Sequence, residues 1–124
     1  MPGRTIRISA GGVSLLADLN STETAQAIWD SLPTRARGST WGDEIYFGIP
    51  VHLEMEKGQA TVEMGDLGYW PPGHAFCIFF GATPASRGGE IRPASPVTVF
   101  GRIRGDATLF KRVPDGAEVL VEAE

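Results

Sequence analysis

Apolar positions recur at every second residue over most of the chain, and the breaks in that rhythm mark its elements. Ile6, Ile8 and Ala10 alternate with Thr5, Arg7 and Ser9; beyond Gly11-Gly12, Val13, Leu15, Ala17 and Leu19 carry the alternation on. Successive side chains of a strand point to opposite faces, so these runs predict two half-buried strands. The Gly-Gly step between them, free to take positive φ, predicts a hairpin. The period then changes. Ala25, Ile28, Trp29 and Leu32 fall at i, i+3, i+4 and i+7, one apolar helical stripe ended by Pro33. Asn20 and Ser21 are candidate N-caps, and Glu23 stands three residues after Asn20 as in a capping box. The stripe is expected to plug an open end of a barrel, with Trp29 in the core.

Arg35 to Thr40 reads as a basic, small-residue strand or loop. Ile45, Phe47 and Ile49 alternate with Glu44 and Tyr46 until Pro50. Val51, Leu53 and Met55, then Ala60, Val62 and Met64 beyond a turn at Lys57-Gly58, predict a second hairpin with an acidic outer face. Phe76 to Phe80 is a continuous apolar run between Gly73 and Gly81. It is too short for a typical helix and is read as the central strand, buried on both faces. Trp70-Pro71-Pro72-Gly73 before it is expected to be an extended, rigid arm, because a residue preceding proline leaves the helical region and proline fixes φ. Thr83 to Pro96, rich in Pro, Gly and Ser, predicts a long surface loop. In the next strand Val97, Val99, Gly101 and Ile103 alternate with Thr98, Phe100, Arg102 and Arg104. Leu109, Phe110 and Val113 suggest a short helical turn or bent strand, and Val119 and Val121 close the sheet. About eight short strands with one helix give a mainly β fold, an antiparallel barrel or sandwich; closure is favoured because it leaves no exposed edge.

The 124 residues show no repeat and no linker, so one domain spanning residues 1–124 is expected. The net charge of -4 is shared evenly, with five basic and seven acidic side chains in residues 1–62 and six and eight in residues 63–124. Neither half carries the basic footprint of a nucleic-acid or anionic-membrane surface. Cys77 is the one cysteine, which excludes an intrachain disulfide. No apolar leader or bilayer-length stretch is visible, and a cytoplasmic location is expected. His52, His74 and Cys77 lack the paired spacings of zinc sites, and the glycines lack the lysine and helix context of a phosphate loop, so no metal and no cofactor is expected. His74 and Cys77, three apart on a strand, fall on opposite faces, and a cysteine in an apolar strand behaves as a small hydrophobe rather than a nucleophile.

The run GDLGYWPPGHAFCIFFGATP at residues 65–84, with EIYFGIP at 44–50 and VTVFGRIRGD at 97–106, resembles the small prokaryotic cyclophilin-like family. That resemblance implies a closed β-barrel related to the peptidyl-prolyl isomerases and selects the barrel over the sandwich. In true cyclophilins an arginine in a Phe-His-Arg sequence after a Gly-Ser turn weakens the amide resonance of the prolyl bond. The similar place here is Gly38-Ser39-Thr40-Trp41-Gly42-Asp43, with Asp43 where the arginine would be. Met64-Gly65-Asp66, Gly73 and Ala75-Phe76-Cys77 resemble the remaining groove motifs, so amide side chains become Asp66 and Ala75. The groove is then expected to survive as a shape that has lost its donors and gained carboxylates.

A candidate ligand pocket follows, lined by Glu44, Tyr46, Asp66, Trp70, His74 and Phe79: a concave apolar site with a few polar groups. The leading expectation is a binding protein for a small molecule or short peptide. One alternative is a divergent prolyl isomerase with Arg102 or Arg104 as donor. The other is an interaction module that shows Trp70-Pro71-Pro72 to a partner or to a second copy of itself.

Overall fold

The computed structural model describes residues 4–124; Met1 to Gly3, where the reading of a missing leader begins, lie outside the described residues. Nine strands form one antiparallel sheet: β1 (Thr5–Ala10), β2 (Val13–Leu19), β3 (Thr34–Arg37), β4 (Ser39–Thr40), β5 (Glu44–Gly48), β6 (Asp66–Trp70), β7 (Ala75–Phe79), β8 (Thr98–Ile103) and β9 (Glu118–Ala123). Their spatial order is β3-β9-β1-β2-β8-β6-β7-β5-β4. The first and last strands of that row are neighbours in sequence. The stretch 34–40 pairs with β9 at one end and with β5 at the other, so the sheet rolls into a nearly closed barrel. Gly38 makes the changeover. Its N–H donates to the Ala117 carbonyl at 2.9 Å, and a Cβ there would lie 2.9 Å from the Ile45 side chain and 3.0 Å from that of Val119. Only glycine fits so close an approach.

The alternation predicted for β1 and β2 is realised as a hairpin in which Ile6 faces Ala17 and Ile8 faces Leu15. Ile6, Ile8, Leu67, Phe76, Ile78 and Phe100 fill the barrel interior. The helix α1 (Glu23–Asp30) adds Ala25 and Ile28 to it. A second apolar cluster lies outside the barrel, where Cys77, Phe79 and Ala75 on the outer face of β7 meet Val62, Ile91 and Val97. This is why every residue of β7 is buried: one face belongs to each cluster.

Five expectations are corrected. Residues 51–64 form no hairpin; among the described residues their ladder-type pairings are isolated bridges, Gln59 to Val97 and Val62 to Ile91. Two further backbone donors go to side chains of the sheet: Leu53 N–H to the Tyr69 hydroxyl at 3.2 Å and Glu56 N–H to Thr98 Oγ1 at 2.9 Å. The cap of α1 is Thr22, whose hydroxyl accepts from Ala25 N–H, while Asn20 Oδ1 accepts from Thr22. The carboxylate at this helix start comes from Glu56, which accepts from the Glu23 and Thr24 amides at 3.1 and 3.0 Å; Glu23 plays no such part. Burial pushes the Glu56 carboxyl up, but these bonds and the charge of Lys57 outweigh it and hold it below its usual value. Pro71–Gly73 is a 3-10 turn rather than an extended arm; Trp70 is extended as a pre-proline residue must be, and His74 N–H closes the turn on the Pro71 carbonyl. The two prolines cost this turn nothing, because the first N–H groups of a helical turn have no partner within it.

Trp29 is only half-buried, with the Arg4 guanidinium 5.0 Å from its ring centroid. In β8, Phe100 is fully buried inside the barrel and not on a polar face with Arg102. The register between β6 and β8 jumps from Gly68–Val99 to Leu67–Gly101, leaving Phe100 as the extra residue of a bulge that shifts the phase of the alternation. Ala107–Arg112 is the short helical turn foreseen near Phe110, and Thr83–Pro96 contains no strand. No helix among the described residues is long and apolar enough to cross a membrane.

Candidate functional site

The outer faces of β5, β7 and β6 lie side by side, and their registers arrange the side chains in rows. Glu44 faces Phe79, and Tyr46 faces Cys77, which in turn faces Gly68; Ala75 faces Trp70. Gly68 leaves the middle of this surface low, since a Cβ there would come within 2.9 Å of Val97 and 3.1 Å of Phe79. The chain then covers the depression from two sides. The turn after β4 brings Trp41 over one flank, fixed by its N–H donating to the Glu44 carbonyl at 2.9 Å. From the other side comes the 83–96 loop, held to itself by Thr83, whose hydroxyl donates to the Arg92 carbonyl, and by Ser86, which accepts from Thr83 and Arg92 amides. It is tied to the barrel by the Trp70 indole N–H, which donates to Ser95 Oγ at 2.6 Å.

Between these walls is a cavity of about 250 Å³ lined by Trp41, Glu44, Tyr46, Trp70, Cys77, Pro93, Ala94 and Val97. Three of its walls are aromatic and none of its lining residues is basic. Glu44 is 5% exposed and no salt bridge reaches it among the described residues. Burial raises its pKa to about 7, and the neighbouring Cys77 thiol offsets only part of that. Burial, together with the charge of the neighbouring Glu44, pushes the Cys77 thiol well above its ordinary value. The thiol is therefore protonated at neutral pH and is no ready nucleophile. A carboxyl poised near neutrality accepts or donates a hydrogen bond, balances a cation or exchanges a proton, according to what enters.

Of the six residues nominated from sequence, the structure brings Glu44, Tyr46 and Trp70 together on the cavity wall. Phe79 is fully buried between the strands that carry Glu44 and Asp66, behind the lining. Asp66 shares the outer face but stands beyond Phe79, two strand spacings or roughly 10 Å from Glu44. Its carboxylate is taken by Arg102 Nε at 2.9 Å and Glu63 N–H at 2.8 Å. His74 is exposed in the left-handed conformation at the β6–β7 turn, stacked on His52 at 3.9 Å between ring centroids and away from the cavity lining.

Trp41, Cys77, Pro93, Ala94 and Val97 were not among the nominated residues. Cys77 and Val97 were within reach of the alternation rule, since they share a face with Phe79 and Val99; Pro93 and Ala94 come from a loop whose path no periodicity reveals. Asp43 is no part of the lining either and lies 3.6 Å from Lys111. Arg102 and Arg104, the alternative donors for a prolyl amide, are held by Asp66 and Asp18 outside the cavity. No cluster of three metal-ligating side chains occurs among the described residues.

The comparisons agree with this architecture. The solution structure of a hypothetical protein from Archaeoglobus fulgidus is similar to the chain with a TM-score of 0.83 and 41% identity, over 98% of this chain and 95% of that one. No curated protein matches it. The model of the Cyclophilin-like family matches residues 4–122, nearly the whole length, and the chain belongs to that family.

Proposed function

We propose that this barrel binds a small molecule in the cavity between Trp41, Glu44, Tyr46 and Trp70. The observation that carries the reading is Glu44: a carboxyl group buried against aromatic walls, with no cationic partner of its own, on the surface of a cavity. Burying an ionisable group without a partner costs several kcal/mol, and such groups cluster where a ligand supplies what the protein leaves out. The volume of about 250 Å³ holds roughly eight waters at ~30 Å³ each, which suits a small metabolite or one side chain of a peptide rather than a long peptide.

The loop latch between Trp70 and Ser95 supports the same reading, since it covers the cavity with a segment that has no strand partners over most of its length. Binding is tested by two-dimensional NMR of labelled protein against a library of small polar and charged molecules. Hits are expected to move the Trp41 and Trp70 indole signals and the Cys77 amide together. A library that moves none of them at millimolar concentration contradicts the reading.

A further inference from the structure

We propose that the ligand class of this cavity is a small organic cation, an alkylated ammonium whose charge sits against Glu44 and whose alkyl groups contact Trp41, Tyr46 and Trp70. The inference rests on the binding reading above and narrows it. Three aromatic rings and a single carboxylate around one small cavity are the parts of a cation cage. The ring faces carry negative electrostatic potential, and an alkylated ammonium, weakly hydrated, exchanges its water for them at little cost. An anion is disfavoured, because the lining holds an acidic group and no basic one. A neutral apolar ligand would leave the Glu44 carboxyl buried and unanswered.

Binding of such a cation is linked to the protonation of Glu44. The titratable groups facing Glu44 are Cys77 from β7 and Tyr46 from its own strand; the 83–96 loop contributes Pro93 and Ala94 and β8 is preceded by Val97, none of which titrates. With no positive charge among them, burial keeps the Glu44 pKa at about 7. A bound cation stabilises the carboxylate and lowers that value, so binding expels a proton and strengthens as pH rises through 7.

The test compares choline with 3,3-dimethyl-1-butanol, its uncharged carbon analogue, by NMR titration of the wild type and of Glu44→Gln. Choline is expected to bind at least about tenfold more tightly than the alcohol. Its affinity is expected to rise roughly tenfold between pH 6 and pH 8 as the carboxyl ionises. Glu44→Gln, which keeps the size of the side chain, is expected to lose both the preference and the pH dependence, with its spectrum still that of a folded barrel. Trp41→Leu, at a half-buried turn position, is expected to weaken choline more than the alcohol.

Equal binding of the two compounds, or choline binding that Glu44→Gln leaves unchanged, overturns the cation assignment while leaving a small-molecule site in place. Failure of choline to bind at all also overturns it. The library screen then separates the cases: hits of another class preserve the cavity as a binding site, and an absence of hits removes that reading as well.

Discussion

The indole N–H of Trp70 donates a 2.6 Å hydrogen bond to the hydroxyl of Ser95, joining the end of β6 to a loop residue 25 positions further along the chain. Trp70 thereby serves as a wall of the cavity and as the anchor of its cover. The bond lies at the rim, so breaking it is expected to loosen the loop without opening the barrel.

Ser95→Ala tests that separation. A neutral hydrogen bond of this kind contributes about 0.5–1.5 kcal/mol to stability, so the loss on denaturation is expected within that range. Cys77, which lines the cavity beneath the loop, is expected to react faster with a small thiol reagent under native conditions. Unchanged thiol reactivity means that the loop does not depend on this bond to stay closed.

Glu44 gives the protein a distinctive dependence on pH. Its folded-state pKa of about 7 lies above the ordinary 4.5. Below 4.5 the carboxyl is protonated in both states and no stability is lost. Between 4.5 and 7 the unfolded chain releases the proton while the folded one keeps it, so stability falls as pH rises, by on the order of 3 kcal/mol in all. Asp18 is held low by its bond to Arg104 and Glu56 by its bonds to the helix start, so both act in the opposite sense, their contribution being lost on acidification below the ordinary carboxylate range. Comparing wild type with Glu44→Gln cancels those groups. The glutamine variant is expected to gain stability relative to the wild type as pH climbs from 4.5 to 7 and to hold that gain above 7. A constant difference across the range contradicts the assignment.

Asp66 and Glu44 stand in one row of the sheet yet have different fates. Asp66 ties the start of β6 to Arg102 and to the Glu63 amide; Arg102 is exposed and passes to water, so Asp66→Ala is expected to cost about 1–3 kcal/mol, chiefly by leaving the amide without its acceptor. Because Phe79 separates it from the cavity, the affinity of any hit from the library screen is expected to change less than about twofold in folded Asp66→Ala, well under the factor of 10 that 1.4 kcal/mol produces. A large loss of affinity at unchanged stability would place Asp66 in the site after all.

The barrel was legible because most strands obey the period-two rule and because the long 65–84 motif resembles one family. Alternation placed Glu44 and Tyr46 on one face, and the proline rule kept Trp70 extended at the strand end. Legibility failed wherever an interaction between distant segments decided the local structure. The alternating pattern at 51–55 and 60–64 was cancelled when Tyr69 and Thr98 took the backbone donors of Leu53 and Glu56. The start of α1 was completed by Glu56, 33 residues after Glu23, which takes the Glu23 and Thr24 amides. Phe100 was misplaced because one inserted residue in the β6–β8 ladder reverses the faces beyond it. Asp66 looked like a pocket residue because its place in the row was readable and its partner Arg102 was not.

One carboxyl group, Glu44, remaining protonated beside three aromatic rings is the premise of the proposed site. Following the side-chain carboxyl carbon of Glu44 by ¹³C NMR across pH 4 to 9 measures this directly, with Glu44→Gln to assign the signal. A midpoint of about 7 in the ligand-free protein is the predicted result. A midpoint near the ordinary value of 4.5 would mean that water or a cation already reaches Glu44, and it would contradict the buried, unpartnered acid on which the proposed site depends.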